Sequence, residues 1–322
     1  MKEKNVRRKR HPFRKLIIAI LLLLIFFAIG WYVLLNHFYE KMNYSEVISV
    51  TDEAAREDGV INILLIGNDS RENGEDGRSD AMILLSVSSK TKSIQMISLL
   101  RDMYVEIPGH DANRLNAAYA YGGPELLMET IEYNFDIKVN RYMLVNFEAF
   151  AGLVDAVGGI ELEITSGEAE YINAYLVEYN ILTEREEGTD YLNPAGGMVH
   201  LNGPQALAFV RNRYIGTDFG RTERQRKVLS GVLKKLPVAL VSEPGELVNG
   251  LLPNLTTNLT KEECYVLGLN APAYLGYELV QGRVPVEGSY RDALIRGMAV
   301  LEVDYAANRA YLRSSIYGEN RE

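Results

Sequence analysis

A single cysteine, Cys264, stands in 322 residues, so no disulfide can form within the chain. The expected role of Cys264 is that of a small buried hydrophobe. Histidines number four (His11, His37, His110 and His200) and are scattered, which argues against a zinc site. No Ser/His or Cys/His arrangement suggests a covalent enzyme intermediate. No internal repeat, low-complexity tract or Pro/Ser/Gly-rich linker divides the chain. Basic charge is scarce outside the N-terminus. Residues 1–15 hold eight of the 34 Lys and Arg against one acid, leaving 26 basic and 42 acidic side chains in the remainder. Nucleic acid is bound by neutralising phosphates, so an acidic body of this kind excludes it as a partner. Any anionic ligand must be met by a local cluster of arginines.

What the chain does have begins with Leu16–Leu35, twenty residues without a charge. At about 1.5 Å per residue a helix of that length spans roughly 30 Å, a bilayer's hydrocarbon thickness. Trp31 and Tyr32 stand near its far end, at interface level. The basic block should stay in the cytoplasm, which places the rest outside the cell. The run is too long for a signal-peptide core, and NHFYEKMNYSE after it has no small-x-small cleavage site. The expected layout is a cytoplasmic tail (1–15), a membrane helix (16–36), a stalk (37–59) and one outer domain (60–315).

Nearly half the residues are apolar, enough for a sizeable core. Val60–Ile66 reads as a buried parallel strand. Ala81–Val87 and Ser93–Leu99, joined by SSKTK, read as a hairpin. Pro124 opens a helix, and Phe147 to Val157 form another that Gly158-Gly159 stops. Ile160–Ile164 alternates as a half-exposed strand. Asn202 is the expected N-cap of PQALAFV. Further patterns predict helices over 224–235, LTKEECYVLGL and RDALIRGMAVLEVDYAANRAYL, and a strand at YELVQGRVPV. Together they predict a mixed α/β fold, a central mostly parallel or mixed sheet flanked by helices.

Asp and Arg concentrate in four stretches. GNDSRENGEDGRSD carries Gly67, Asp69, Arg71, Arg78 and Asp80 between two apolar strands, at a strand's carboxyl end where such folds place ligands. Two carboxylates there suit Mg²⁺, although Asp, Asn, Gly and Arg are also ordinary turn residues. Arg101-Asp102 follows the third strand. Arg211 and Arg213, if extended, point the same way, and two guanidinium groups side by side match phosphate oxygens. The alternative is pairing with Asp218 or Glu223. On a helix, Arg221, Arg224 and Gln225 share a face, and Arg221 near its start suits an anion.

In this order, NILLIGNDSR (62–71), GRSDAMILLSV (77–87), SLLRDMYVEIPG (98–109), RLNAAYAYGG (114–123), LVDAVGGIELEI (153–164), LNGPQALAFVRNRY (201–214) and DFGRTERQRKVL (218–229) resemble the LytR-CpsA-Psr family of bacterial cell-envelope proteins. The resemblance implies a phosphotransferase that moves an anionic glycopolymer, such as teichoic acid or capsule, from undecaprenyl pyrophosphate to peptidoglycan. By that analogy Asp69 and Asp80 hold Mg²⁺ (or Mn²⁺), and Arg78, Arg101, Arg211, Arg213, Arg221 and Gln225 bind the pyrophosphate. An apolar groove would take the polyprenyl tail. Catalysis is then expected from Asp80, Arg101, Asp102, Arg211 and Arg213, with Asp80 or Asp102 as general base. The family's Ser-Ile-Pro before the Arg-Asp pair is here Ser98-Leu99-Leu100, which removes a φ restraint before Arg101.

Overall fold

The computed structural model describes residues 29–45, 56–57, 59–68, 79–212, 214–215, 218–242, 245–246 and 252–318. The basic tail, Leu16–Ala28, residues 46–55 and 58 of the stalk and the Asp69–Arg78 segment lie outside the described residues. Among the described residues no helix is long and apolar enough to cross a membrane.

Strands β1 (Asn43–Tyr44), β2 (Arg56–Glu57), β3 (Val60–Asn68), β4 (Ser79–Ser88), β5 (Ser93–Leu99), β6 (Tyr104–Val105), β7 (Asn113–Arg114), β8 (Arg141–Val145), β9 (Ile160–Ile164), β10 (Gly197–Leu201), β11 (Leu255–Thr257), β12 (Glu278–Val284), β13 (Tyr290–Ile295) and β14 (Met298–Val303) follow in chain order. The helices are α1 (29–41), α2 (Leu115–Phe135), α3 (Phe147–Ala156), α4 (Ser166–Leu182), α5 (Gly203–Arg211), α6 (Asp218–Ser242), α7 (Lys261–Tyr274) and α8 (Tyr305–Tyr317). The central sheet runs β1-β11-β8-β3-β4-β5-β12, with β2 beside β3.

The sheet is mixed rather than mostly parallel. β3 is parallel to β8 but antiparallel to β4, and β4 is antiparallel to β5 in the expected hairpin. Short links allow only antiparallel neighbours, whereas β3 reaches the parallel β8 by way of α2. β3 is apolar over most of its length, Asn62 being the buried exception, because both its faces are covered. Leu64 and Ile66 enter a core with α2 and α8, while Ile61 and Ile63 enter a second one near α7. A third core joins α3, α4, α5 and α6 to the β9–β10 pair.

Local signals did their work where they were short-range. Pro124 opens the second half of α2, behind a kink at Gly122 and Gly123 (φ 62°). After α3, Gly158 and Gly159 take φ of 74° and 68°, and a Cβ on Gly159 would meet His200 Nε2 at 2.3 Å. Asn202 caps α5 through a reciprocal pair: its Oδ1 accepts from the Gln205 N–H (3.1 Å), and Gln205 Oε1 accepts from the Asn202 N–H (2.7 Å).

One expectation fails. The stretch from Arg291 to Leu312 is not a single helix but the β13–β14 hairpin followed by α8. Its turn is Arg296-Gly297, both at positive φ (52° and 79°), as a tight two-residue hairpin requires. Leu301 and Val303 then join the main core, and Val300 is buried as well.

Candidate active site

The registers bring the ends of several strands to one edge of the sheet. β3, β5, β8 and β12 point the same way, so Asn68, Leu99, Val145 and Val284 end there, and β4 begins there. Ile83 pairs with Ser98, and Asp80 lies three residues before the one as Arg101 lies three beyond the other. The antiparallel register therefore carries Asp80 and Arg101 to the same edge. Asp69, Arg71, Arg78 and Arg213 lie outside the described residues, and of Asp80 only the backbone is described.

Past β5, Arg101 Nε donates to Asp102 Oδ2 (3.4 Å), and Arg114 Nη1 donates to Asp102 Oδ1 (3.2 Å). Both oxygens of Asp102 thus already have guanidinium partners. Leu100, at the family's proline position, donates its N–H to the Val284 carbonyl at 2.9 Å. Proline could not make that bond, so the restraint before Arg101 comes from β12 instead.

Arg211 is not in an extended segment. It is the last residue of α5, because the capped helix continues through PQALAFVR before Asn212 ends it. A cation at a helix C-terminus is favoured by the macrodipole. Its guanidinium lies over the ring of Phe147 (4.1 Å), just beyond the end of β8, and 5.6 Å from that of Tyr175. Asn212 Oδ1 accepts from the N–H groups of Tyr214 and Ile215, both at 3.0 Å.

The start of α6 completes the edge. Arg221, Arg224 and Arg226 are all buried, at 5%, 6% and 8% exposure, and Gln225 is half-buried beside them. Arg224 Nη2 donates to the Asn212 carbonyl (2.7 Å), which ties α6 to the end of α5. Arg226 Nη1 donates to Ser98 Oγ (2.7 Å), which ties α6 to the end of β5. The exposed face carries Glu223 and Lys227, paired at 3.0 Å.

Burying charge is costly unless it is compensated, by several kcal/mol for each ion in round terms. Burial pushes the Arg224 and Arg226 guanidinium groups below the usual arginine value. Glu168 and Glu223 oppose the shift at Arg224; at Arg226 Glu223 opposes it and the charge of Arg283 adds to it. The Nε atoms of both have no hydrogen-bond partner among the described residues. Arg224 is answered within the protein by Glu168 Oε1 at 3.7 Å.

Arg226 and Arg283 escaped the sequence reading. Arg226 was legible only as one basic residue in RTERQRK, with nothing local to say which of them turn inward. Arg283 sits opposite Ser98 in the β5–β12 register, with its guanidinium 4.3 Å from the Phe219 ring, a contact made only by the fold. Among the described residues no group of three or more His, Cys, Asp or Glu gathers to hold a metal. An Asp69/Asp80 pair would in any case leave ligand positions to substrate oxygens and water, as Mg²⁺ sites commonly do.

The LytR_cpsA_psr family model matches residues 34–311. The chain belongs to the LytR-CpsA-Psr family. It is 36% identical over 220 residues to the polyisoprenyl-teichoic acid–peptidoglycan teichoic acid transferase TagU of Enterococcus faecalis, and the match covers 66% of each chain. A solved structure of TagT bound to LIIa-WTA is similar at a TM-score of 0.64 and 26% identity, over 85% of this chain and 97% of that one. Another, of the LytR-CPS2A-psr family protein YwtF (TagT) with bound octaprenyl pyrophosphate lipid, is similar at 0.60 and 25%, over 84% and 96%. These structures share the mixed sheet with helices on its faces.

Proposed function

We propose that this protein transfers an anionic glycopolymer of the teichoic acid class from a polyprenyl pyrophosphate carrier to peptidoglycan. The observation that carries the reading is the Arg226–Ser98 bond together with the Arg224–Asn212 bond. Through them the start of α6, with Arg221, Arg224 and Arg226, is tied to the end of α5, where Arg211 stands, and to Ser98, three residues before Arg101, within an acidic body. The family relatives named for teichoic acid transfer, and the one holding octaprenyl pyrophosphate, support the substrate class.

Phosphoryl transfer is catalysed mainly by positioning and by neutralising charge on oxygen, which suits a cluster of guanidinium groups better than a nucleophile. An acceptor sugar hydroxyl attacks the phosphorus that bears the glycopolymer. Its oxygen forms the new P–O bond, the bond to the polyprenyl phosphate breaks, and that phosphate leaves with the electron pair. The hydroxyl proton goes to a carboxylate. Asp80 and Asp102 are the candidates: both oxygens of Asp102 face guanidinium groups, and Asp80 would share its carboxylate with the metal. Arg78, Arg101, Arg211, Arg213, Arg221 and Gln225 bind the pyrophosphate oxygens, with Arg226 behind them. Asp69 and Asp80 would hold Mg²⁺, with Mn²⁺ as the alternative, which when bound supplies further neutralisation of the pyrophosphate charge.

Product analysis tests the reading. With purified peptidoglycan present, polymer is expected to become covalently attached to it, and chelation with EDTA should stop the reaction until Mg²⁺ is restored. Release of free polymer at the same rate with and without peptidoglycan would mark a pyrophosphatase instead. The domain is proposed to face outward from the cell membrane on a single anchor, Leu16–Leu35. Alkaline phosphatase fused after residue 60 should therefore be active in cells, and an inactive but intact fusion would remove that orientation.

A further inference from the structure

Helix α7 is unusual for a helix on a domain surface: none of its residues is buried. From Cys264 to Tyr277 the chain reads CYVLGLNAPAYLGY, 14 residues without a charge. Its inner side rests on the sheet through Cys264, Leu267 and Tyr274. Its outer side leaves Val266, Leu269 and, just past its end, Leu275 in solvent, with Leu269 at 64% exposure. Scattered exposed leucines need no explanation, but a helix whose outer face carries no charge beyond its first turn (Lys261, Glu262 and Glu263) does.

What lies beside this face says what should cover it. α1 is the end of the apolar run Leu16–Leu35, and it packs directly on α7. The rings of Tyr32 and Tyr265 stand 5.3 Å apart, Tyr265 Oη donates to Asn36 Oδ1 (3.3 Å), and Leu35 lies over Gly268, where a Cβ would meet its Cδ2 at 2.8 Å. On α1 itself Ile29, Tyr32 and Val33 are exposed in turn. Both margins of the charge-free stretch carry a lysine over a tyrosine: Lys261 over Tyr265 (5.9 Å) and Lys92 over Tyr277 (5.4 Å). Tyrosine and lysine are the side chains that settle at headgroup level, with apolar stems inward and polar ends in water. The neighbouring Glu263 is tied to Arg141 at 2.7 Å, so its charge is answered within the protein.

We propose that α7 is an interfacial helix that lies in the outer surface of the bilayer. With α1 clamped against it, the catalytic domain would be seated on the membrane in one orientation instead of swinging on a stalk. The expected occupant of the Val266/Leu269/Leu275 face is thus lipid, at the level of the headgroups and upper acyl chains. The proposal rests on the membrane-anchor reading and is independent of the chemistry proposed above.

The full chain in vesicles of phosphatidylcholine and anionic phosphatidylglycerol tests it. Cys264→Ala leaves no other cysteine, so Leu269→Cys can carry a nitrobenzoxadiazole label alone, with Leu294→Cys on the exposed β13 as the comparison. At position 269 the emission should shift to the blue, and nitroxide on the lipid chains should quench it about twofold more than at 294, as expected for a side chain entering the acyl boundary. Flotation is measured alongside. A floating chain with a water-like, unquenched label at 269 overturns the seating and leaves the anchor standing. A chain that fails to float overturns both. A blue shift without lipid quenching means that protein, such as a second copy, covers the face, and also overturns the proposal. In the native background, Leu269→Glu should lower transfer from a vesicle-embedded carrier roughly tenfold by disfavouring the apolar interface. A short water-soluble carrier should be used at the unaltered rate, and equal loss on both carriers would count against the seating.

Discussion

Replacing Arg211 by alanine is expected to lower transfer by about 10²–10³-fold, the usual cost of removing one preorganised donor at a developing charge. The domain should stay folded. Arg211 is half-exposed at the last position of α5, and its ring contacts with Phe147 and Tyr175 are worth about 0.5–2 kcal/mol at most. Arg211→Lys should not restore the rate, because an ammonium keeps the charge but loses the planar fork. Asp80→Ala should inactivate comparably, for want of a carboxylate at the facing strand end. The check is initial rate on a polyprenyl pyrophosphate-linked polymer together with a thermal melt. Wild-type rates in either alanine variant would take away the proposed site.

Phe209→Ala is expected to cost about 3–5 kcal/mol of stability. Phe209 is 1% exposed, in the core that joins α5 to α3, α4 and α6. It stands two residues before Arg211, so the cavity would also loosen the helix end that aims the guanidinium. Urea denaturation should show a lower midpoint with an unchanged slope. A loss below about 1 kcal/mol would mean that the site collapses freely, and that α5 is not held as rigidly as its burial implies.

These two residues mark where local signals ended. Asn202, Pro204 and Gln205 announced the start of α5, since a cap is satisfied within three residues. Its end was not announced. Arg211 and Arg213 looked like neighbours on a strand, but helical hydrogen bonding carried on through Arg211. The β13–β14 hairpin was hidden for a related reason. RDALIRGMAV allows a helical spacing, and only pairing with the facing strand and burial of Val300, Leu301 and Val303 decide against it. By contrast the 81–99 hairpin was plain, because its turn is short and both arms are apolar.

The amino-acid sequence alone determined the family, the apolar run behind a basic block, the acidic body, and the local pieces whose causes lie close together along the chain: caps, glycine stops and the 81–99 hairpin. The tertiary structure decided which arginines face inward. Nothing in RTERQRK separates Arg226 from Lys227, yet one is buried on Ser98 and the other pairs with Glu223 at the surface. That choice depends on which side of α6 meets β5, a contact made across more than a hundred residues, and which side meets the end of α5 beyond an intervening loop, so neither shows in a local pattern.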